Sequence, residues 1–306
     1  MADMIVGRRL CKRFGDHIVL DDVSLSIDRG ERVAVIGMNG AGKTTLFRCL
    51  LGVTRFTGQL TVGGADVRKT PRAARAKIGY VPQRAPQFDG TLGETIDFFT
   101  ELRGADPTRV TDYLKVVGLD NEAERDKPVR ALSGGMLQKV LLGLALGAGV
   151  DVLLLDEPTA NLDPRARREF LRALREVPTD TTVILSSHRL ADVEAVAQRV
   201  LVLHGGGFAF DGQLNELTGR ISDRVTVWLR IPREDRDRAQ ERLQTLDRVE
   251  LVIGSNGVLG VSASRGVGAD VVHQLRAEGL TIEDFWIEGP TLEEHLERLL
   301  EPGGAT

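Results

Sequence analysis

The fold of this chain follows from the stretch Val33-Ala34-Val35-Ile36-Gly37-Met38-Asn39-Gly40-Ala41-Gly42-Lys43-Thr44-Thr45. A short β-branched run turns through glycines and leaves on Lys43 into an apolar helical pattern. The spacing of Gly37, Gly42, Lys43 and Thr44 is that of the phosphate-binding loop between a strand and a helix. Because glycine lacks a side chain, the backbone N–H groups can turn inward around phosphate oxygens. We therefore predict a nucleotide site here.

The polar residues of this loop have separate tasks. Lys43 can place a cation on the terminal phosphates, and the Thr44 hydroxyl can hold Mg²⁺. The helix that follows presents its positive end to the same anion. A glycine-rich turn that binds nothing is the alternative, which the preceding strand and the following helix disfavour. The predicted phosphate contacts are Gly37, Met38, Asn39, Gly40, Ala41, Gly42, Lys43, Thr44 and Thr45.

The composition is that of a soluble globular protein with room for one large and one smaller domain. The chain has 306 residues, of which 42% are hydrophobic and 27% charged, enough for a substantial core. A net charge of −4 gives no reason to expect nucleic-acid binding. Cys11 and Cys49 both lie in apolar patterns, so we expect buried thiols and a reducing compartment rather than a disulfide framework.

No segment has the pattern of a targeting or membrane-spanning sequence. Met1–Met4 lacks the basic and then apolar pattern of a secretory signal, so none is expected. The longest apolar run, Val140–Leu155, is interrupted by Gly147, Gly149 and Asp151, which favours the end of a helix followed by a buried strand. We therefore expect any membrane contact to be made through a partner.

The pattern along the chain predicts an α/β fold. Residues 5–30 are typical of antiparallel strands. Apolar strands at Val152–Leu155 and Thr182–Ser186 alternate with helices, which indicates a parallel sheet covered on both faces. Residues 91–118 have a helical pattern, and we expect a helical subdomain over about 84–150.

The character of the sequence changes around residue 220. We predict a first domain over residues 1–220 and a C-terminal α+β accessory domain over 221–306. The later part has the order β-α-β-β-α-β of a small ferredoxin-like unit, with a hairpin turn at Ser255-Asn256-Gly257 and a last strand over Leu280–Ile287. An amphipathic helix over Thr291–Leu300 is predicted to follow.

Two adjacent carboxylates form a second candidate site. Asp156 and Glu157 follow the apolar run Val152–Leu155, at the carboxyl end of a predicted buried strand, where parallel sheets bind ligands. Asp156 can act on Mg²⁺, and Glu157 can take a proton from water. Taken alone, the pair is equally compatible with solvated acids that cap the end of a strand.

A further motif, Leu132-Ser133-Gly134-Gly135, lies between the phosphate loop and these carboxylates. With the motifs in this order, the chain resembles the nucleotide-binding subunit of ATP-binding cassette (ABC) transporters over about residues 5–218. The resemblance implies a P-loop NTPase fold with a RecA-like parallel sheet core, an antiparallel β subdomain and a helical subdomain. Further positions that match the family are Gln83, His188, Phe14 and the loop Asn161-Leu162-Asp163.

The resemblance also implies a role for each matching residue, with ATP and Mg²⁺ as cofactors. Ser133–Gly135 would bind the γ-phosphate of ATP held by the other subunit, through the amide end of their helix. His188 would contact the γ-phosphate and order Glu157 and its water. Phe14 would stack on adenine, with a place in the core as the alternative. The implied catalytic residues are Glu157, His188, Gln83 and Lys43, and the implied metal ligands are Thr44, Gln83 and Asp156.

Two features resemble an export-type subset of the family, the multidrug or ABC-2-like type, whose membrane subunits are separately encoded. Met136 stands where many members have glutamine, and the tail Glu283–Glu294 is similar to the tails of that subset, which includes drug and lipid exporters. The subset also includes ATPases that help to mature a copper enzyme, nitrous oxide reductase. The segment Gln87–Leu92 is faintly similar to these.

We therefore predict the ATP-hydrolysing subunit of an export-type ABC transporter. It would act as an ATP-dependent head-to-tail dimer on integral membrane subunits, not on nucleic acid. It would be cytoplasmic and held on the inner face of the cell membrane by its partner. One alternative is a soluble cassette protein acting on DNA or ribosomes, which would need a coiled-coil insertion or a second cassette. Another is a binding module whose C-terminal part senses a ligand.

The membrane partner is predicted to dock around Gln83–Phe99. In this segment the apolar side chains available for a hydrophobic contact are Phe88, Leu92, Phe98 and Phe99. The alternative is that Phe98 and Phe99 fill the core beneath their own helix.

Overall fold

A computed structural model describes residues 3–86, 88–119, 124–220, 224–246, 249–253 and 258–288. The chain divides into two units, Met1–Leu217 and Thr218–Thr306. The predicted hairpin turn at residues 255–257 and the predicted helix Thr291–Leu300 lie outside the described residues, as does Gln87.

The first unit contains strands and helices in alternation after its opening strands. In chain order, its strands are β1 (Asp3–Phe14), β2 (His17–Asp28), β3 (Arg32–Ile36), β4 (Thr57–Val62), β5 (Ala65–Asp66), β6 (Ile78–Val81), β7 (Val152–Asp156), β8 (Thr182–Ser186), β9 (Arg199–His204) and β10 (Gly207–Gln213). The described helices are α1 (Lys43–Leu50), α2 (Pro71–Ala76), α3 (Leu92–Arg103), α4 (Pro107–Val116), α5 (Gly134–Gly147), α6 (Pro164–Ala173), α7 (Leu190–Val196) and α8 (Leu214–Arg220). Short 3₁₀ turns lie at Val129–Ala131 and Leu174–Glu176.

A six-stranded sheet forms the centre of this unit, in the order β10-β9-β3-β8-β7-β6. All neighbouring strands are parallel except β9 and β10. Every residue of β7 and β8 is buried, as expected where both faces of a parallel sheet are covered. The predicted parallel core is therefore confirmed. Strand β9, which the sequence pattern did not predict, pairs with β3 in the interior of the sheet.

An antiparallel sheet lies beside the core, in the order β2-β1-β4-β5. Ile5 and Leu20 of this sheet are completely buried, and they belong to one apolar cluster with Leu46 and Phe47 of α1. Alternating buried and exposed residues on β2 place its apolar side against this cluster. The expected antiparallel β subdomain is confirmed.

The helical subdomain consists of α3, α4 and α5 in the described part of the chain. Thr91 and Glu94 form a reciprocal capping box at the start of α3, with N–O distances of 3.2 and 2.8 Å. Gly104 ends α3 with a φ of 59°, so the helical pattern over residues 91–118 is two helices. A Cβ at Gly143 would lie 2.7 Å from Leu114 Cδ2, which shows how closely α5 packs against α4.

In its described residues, the second unit consists of a four-stranded sheet and two helices. Its elements are β11 (Arg224–Arg230), α9 (Arg233–Gln244), β12 (Val249–Ile253), β13 (Val258–Ser264), α10 (Arg265–Ala277) and β14 (Asp284–Glu288). The sheet order is β12-β13-β11-β14, with all neighbours antiparallel. Val227, Leu229, Leu243, Val261 and Leu275 are buried in one core. That this unit is an accessory domain able to fold alone remains a prediction.

The last strand begins later than the sequence pattern indicates. Leu280 and Ile282 are buried in the core of the second unit, and the backbone N–H of Thr281 donates to Asp235 Oδ2 at 3.0 Å. This residue's N–H is therefore bonded to a side chain rather than to a strand. Pairing with β11 begins at Asp284.

Among the described residues, no helix combines the length and the hydrophobicity that a membrane crossing needs. Both cysteines are free thiols. Cys49 is fully buried, and burial raises the pKa of its thiol to about 11. Cys11 is only half-buried, so the expectation of two buried thiols holds fully for Cys49 alone.

Candidate functional site

The glycine-rich loop joins the end of β3 to the start of α1. Gly40 and Gly42 have φ angles of 84° and 106°, a backbone region that residues other than glycine rarely adopt. A Cβ at Gly42 would also lie 3.0 Å from Val19 Cγ1. Met38, Asn39 and Gly40 form the exposed tip of the loop, whereas Ala41 and Thr45 are half-buried. The tip of the loop is therefore exposed to solvent, whereas its base is tightly packed.

Lys43 lies over this loop rather than in solvent. Its Nζ donates to the carbonyl oxygen of Gly37 at 2.8 Å and to that of Met38 at 3.4 Å. The residue is 5% exposed, so its charge is held close to the backbone of the loop. A cation at the start of a helix, above exposed backbone amides, forms a strong site for phosphate.

Three side chains converge on Glu157. Lys43 Nζ lies 3.3 Å from its Oε1, Gln83 Nε2 donates to its Oε2 at 3.1 Å, and His188 Nδ1 lies 3.2 Å from the same oxygen. All four residues expected to be catalytic therefore meet at one carboxylate. Glu157 has a φ of 44°, an uncommon conformation for a residue with a side chain, of the kind found where a site constrains the backbone.

Asp156 is held by three hydroxyl groups. Thr44 Oγ1 and Ser186 Oγ donate to its Oδ1 at 3.2 and 2.8 Å, and the Tyr80 hydroxyl donates to its Oδ2 at 3.3 Å. Burial and the charge of Asp156 raise the pKa of Tyr80 far above its usual range, so the phenol stays a donor at neutral pH. The carboxylate is 2% exposed.

The donor set around Asp156 fits Mg²⁺ bound together with a nucleotide. One carboxylate and one threonine hydroxyl are hard oxygen ligands, and Mg²⁺ commonly takes few protein ligands beside phosphate oxygens and water. In the described residues, no group of three His, Cys, Asp or Glu side chains could hold a metal ion, so phosphate oxygens would have to complete the coordination. Gln83 contacts Glu157 rather than Thr44 or Asp156.

The Ser133–Gly135 segment stands apart from this cluster. Ser133 is the N-cap of α5, and its Oγ accepts a hydrogen bond from Met136 N at 3.2 Å. Ser133 and Gly134 are exposed, while a Cβ at Gly135 would lie 2.9 Å from Ala166 Cβ. No hydrogen bond or ion pair among the described residues joins this segment to the phosphate loop.

Phe14 is not a core residue. It lies at the end of β1 with half of its surface exposed, and Lys12 Nζ lies 4.2 Å from the centre of its ring. The alternative place in the core is therefore wrong. An exposed ring beside a cation is available to stack on a planar ligand.

Several residues that support the site were missed by sequence reasoning. Asp192 is completely buried and accepts hydrogen bonds from Thr159 Oγ1 at 2.5 Å and Arg167 Nε at 2.6 Å. Gln138 Nε2 donates to the carbonyl oxygen of Pro82, next to Gln83, at 3.0 Å. Their partners come from distant parts of the chain, so no local pattern identifies them. Ser186 could have been found, because it ends the strand beside the acidic pair.

Comparison with known proteins assigns this chain to a family. A family model described as ABC transporter matches residues 20–160. The daunorubicin resistance ATP-binding protein DrrA3 of Streptomyces coeruleorubidus is 33% identical over an alignment of 305 residues, which covers 92% of this chain and 91% of that protein. The chain belongs to the ABC transporter family. The predicted resemblance is thereby confirmed.

Other members of the ABC transporter family include a longer protein and a protein of solved structure with a similar fold. ATP-binding cassette sub-family A member 7 of Rattus norvegicus is 33% identical over 306 aligned residues that cover 96% of this chain; the chain spans 14% of that protein. A solved structure titled "Structure of ATP binding subunit of ABC transporter" superposes with a TM-score of 0.65 at 26% identity, covering 71% of this chain and 92% of that one. The predicted cassette fold is confirmed.

Proposed function

We propose that this chain is the ATP-hydrolysing subunit of an export-type ABC transporter and works through separately encoded membrane subunits. The observation that carries this proposal is the convergence of Lys43, Gln83 and His188 on Glu157. DrrA3, named as an ATP-binding protein of drug resistance, matches nearly the whole chain, which supports the export-type assignment.

The chemistry would depend on positioning and electrostatics. Loop amides and Lys43 would hold the phosphates, while Phe14 stacks on the adenine ring. Mg²⁺, held by Thr44, Gln83 and Asp156, would neutralise charge on the phosphates. A bound phosphate competes with Glu157 for Lys43, which frees the Glu157 carboxylate to accept a proton from water. His188, 3.2 Å from Glu157, would hold that carboxylate in place.

A second copy of the chain would complete each site. The exposed helix start at Ser133–Gly135 offers backbone N–H groups and a positive dipole. Among the described residues, no hydrogen bond or ion pair joins it to the chain's own phosphate loop. A head-to-tail dimer would bring it onto the γ-phosphate held by the partner's loop. Each ATP would then join the two chains, and its hydrolysis would remove the joining charge.

The membrane subunit would dock on the helical subdomain, where it would hold the protein on the inner face of the cell membrane. A cavity of about 240 Å³ opens there, lined by Leu51, Arg75, Ile78, Gly79, Tyr80, Phe99, Arg103, Leu141, Leu144 and Ala145. Phe98 and Leu102, one helical turn apart on α3, are 60% and 64% exposed. Two arginines at an apolar cavity favour a cytosolic segment of the membrane subunit that is apolar and carries a carboxylate.

In Gln83–Phe99, the segment predicted to dock this partner, only some of the apolar side chains are exposed. Leu92 is completely buried in the helical subdomain, so it cannot make the expected contact. Phe99 is partly buried and packs edge-on against Phe88, with ring centres 5.4 Å apart. Phe98 is the exposed aromatic residue, so the alternative that it fills the core is wrong.

The test is the Glu157→Gln variant. Glutamine keeps the shape of the side chain but cannot accept a proton, so ATP binding should survive while turnover falls by about 10²–10³-fold. With Mg²⁺ and ATP, two chains should elute from a sizing column as one species, and without nucleotide as monomers. Adding Ser133→Trp should abolish this shift.

Glu101→Gln is the matched control, since Glu101 is an exposed residue of α3 with no side-chain bond in the described structure. It should turn over ATP at the normal rate. Normal turnover in Glu157→Gln, together with an elution volume that does not depend on ATP, would contradict both the assigned base and the dimer.

A further inference from the structure

Tyr80 belongs to two regions of the first unit at once. The residue lines the cavity beside α3 and α5, and its hydroxyl donates to Asp156 Oδ2 at 3.3 Å. The residue lies on β6, the edge strand that pairs with β7, which ends at Asp156. One residue therefore contacts both an apolar cavity and the acidic end of a strand.

The hydroxyl of Tyr80 has a distinct place around the carboxylate. Thr44 and Ser186 both donate to Oδ1 of Asp156, whereas the donor to Oδ2 is Tyr80. A carboxylate that must present an oxygen toward Mg²⁺ is oriented by the bonds to its other positions, and such supporting bonds set metal affinity. The orientation of Asp156 therefore depends on where the phenol ring lies.

The ring of Tyr80 is held by apolar neighbours rather than by further polar bonds. It packs at the edge of the apolar cluster that contains Ile78 and Leu50, beside the half-buried Leu51. Across the cavity lie Leu144 and Ala145 of α5. A change in how this cavity is filled would therefore move the ring and, through it, the hydroxyl on Asp156.

We propose that Tyr80 is a positioning residue that links occupancy of the cavity to Mg²⁺ binding at Asp156. The proposal rests on the function proposed above, since it needs both the Mg²⁺–ATP site and an occupant of the cavity. A segment of the membrane subunit in the cavity would then adjust the metal site directly through one side chain. If the hydroxyl only satisfied a buried carboxylate, its removal would weaken folding or ATP binding without regard to metal.

The experiment measures the dissociation constant of ATP in Mg²⁺ and in EDTA, using full-length chain that carries Glu157→Gln to prevent turnover. The ratio of the two constants is the Mg²⁺ enhancement of ATP binding. Tyr80→Phe keeps the ring and removes the hydroxyl, so it should lower this enhancement by about tenfold while the constant in EDTA stays the same. Tyr113→Phe, a change at the other tyrosine of the chain, should alter neither constant.

A second change tests the link to the cavity. Leu51→Phe adds volume to the cavity wall and should lower the Mg²⁺ enhancement by about threefold when Tyr80 is present. In the Tyr80→Phe chain it should have no further effect, because the connecting hydroxyl is gone. If Leu51→Phe does not fold, as shown by its thermal melt, Leu51→Ala takes its place with the same expectation.

Each other result contradicts the proposal. Equal enhancement in Tyr80→Phe and Tyr113→Phe would show that the hydroxyl does not position Asp156. Equal effects of Leu51→Phe with and without the hydroxyl, or no effect in either chain, would show that the cavity does not act through Tyr80. Failure of the proposed function looks different, since the parent chain would then bind no ATP or show no Mg²⁺ enhancement.

Discussion

The two halves of the proposed nucleotide site differ in how they are built. The phosphate half, which is the loop Gly37–Thr45 with Glu157 and His188, is a network of side-chain contacts that are mostly buried. The signature half, Ser133–Gly135, is an exposed helix start whose side-chain bond serves only its own cap. The side chains of the first half meet within one chain, whereas the second half, in the function proposed above, would act on a nucleotide held by another copy.

This difference follows from the places of the two halves in the fold. Lys43 and Gln83 follow the carboxyl ends of β3 and β6, and Asp156 is the last residue of β7. Parallel strands bring such ends to one edge of the sheet. The signature half is on α5 of the helical subdomain, where exposed N–H groups and the helix dipole point outward. Side chains from several strands therefore meet at the edge of the sheet, whereas the start of a helix offers its backbone N–H groups to a ligand.

The largest expected effect comes from damaging one half in each chain. Lys43→Ala and Ser133→Trp should each lower ATP turnover by about 10²–10³-fold. Mixing the two variants should restore roughly a quarter of the normal rate, because half of the dimers are mixed and each mixed dimer has one intact site. Turnover of the mixture, measured against each variant alone, checks the separation of the halves.

The matched control mixes Lys43→Ala with Glu157→Gln. Both changes damage the phosphate half, so every composite site keeps one defect and no activity should return. Recovery in this control, or none in the first mixture, would mean that the halves do not meet across two chains.

A smaller effect, on the free energy of unfolding, is expected from a change at the start of α3 in the helical subdomain. Thr91→Ala removes the capping box of α3 and should lower the free energy of unfolding by about 1 kcal/mol. Chemical denaturation measures this change, with Thr108→Ala, an exposed threonine within α4, as the control. The ATP affinity of Thr91→Ala should be unchanged, because the phosphate half lies on the sheet; weaker binding would show that the subdomains are not independent.

The smallest effect on ATP binding is expected from removal of the second unit. Described residues of that unit share one core, and the contacts of Lys43 and Glu157 that the structure describes are made with residues of the first unit. A chain that ends after Arg220 should therefore bind ATP with unchanged affinity, although its coupling to a partner can suffer. A folded truncated chain that fails to bind ATP in an equilibrium titration would contradict this division.

Sequence patterns identified the elements that local rules control. The glycines of the loop, the helix start at Ser133 and the apolar strand before Asp156 each follow from residues next to one another. Sequence patterns failed where the tertiary structure decides whether a residue is buried or exposed. Leu92 looks like a docking residue because it lies near Phe98, yet its position in the first turn of α3 places it in the core.

The sequence by itself determined the phosphate loop, the acidic pair, the alternation of strands and helices, and hence the family, because glycine spacing and apolar periodicity constrain the backbone within a few residues. Only the tertiary structure decided that Lys43, Gln83 and His188 meet at Glu157, that Tyr80 reaches Asp156, and that Phe98 is exposed while Leu92 is not. These facts join residues far apart in the chain, and such distances are set by how the strands of the sheet are ordered rather than by any local pattern.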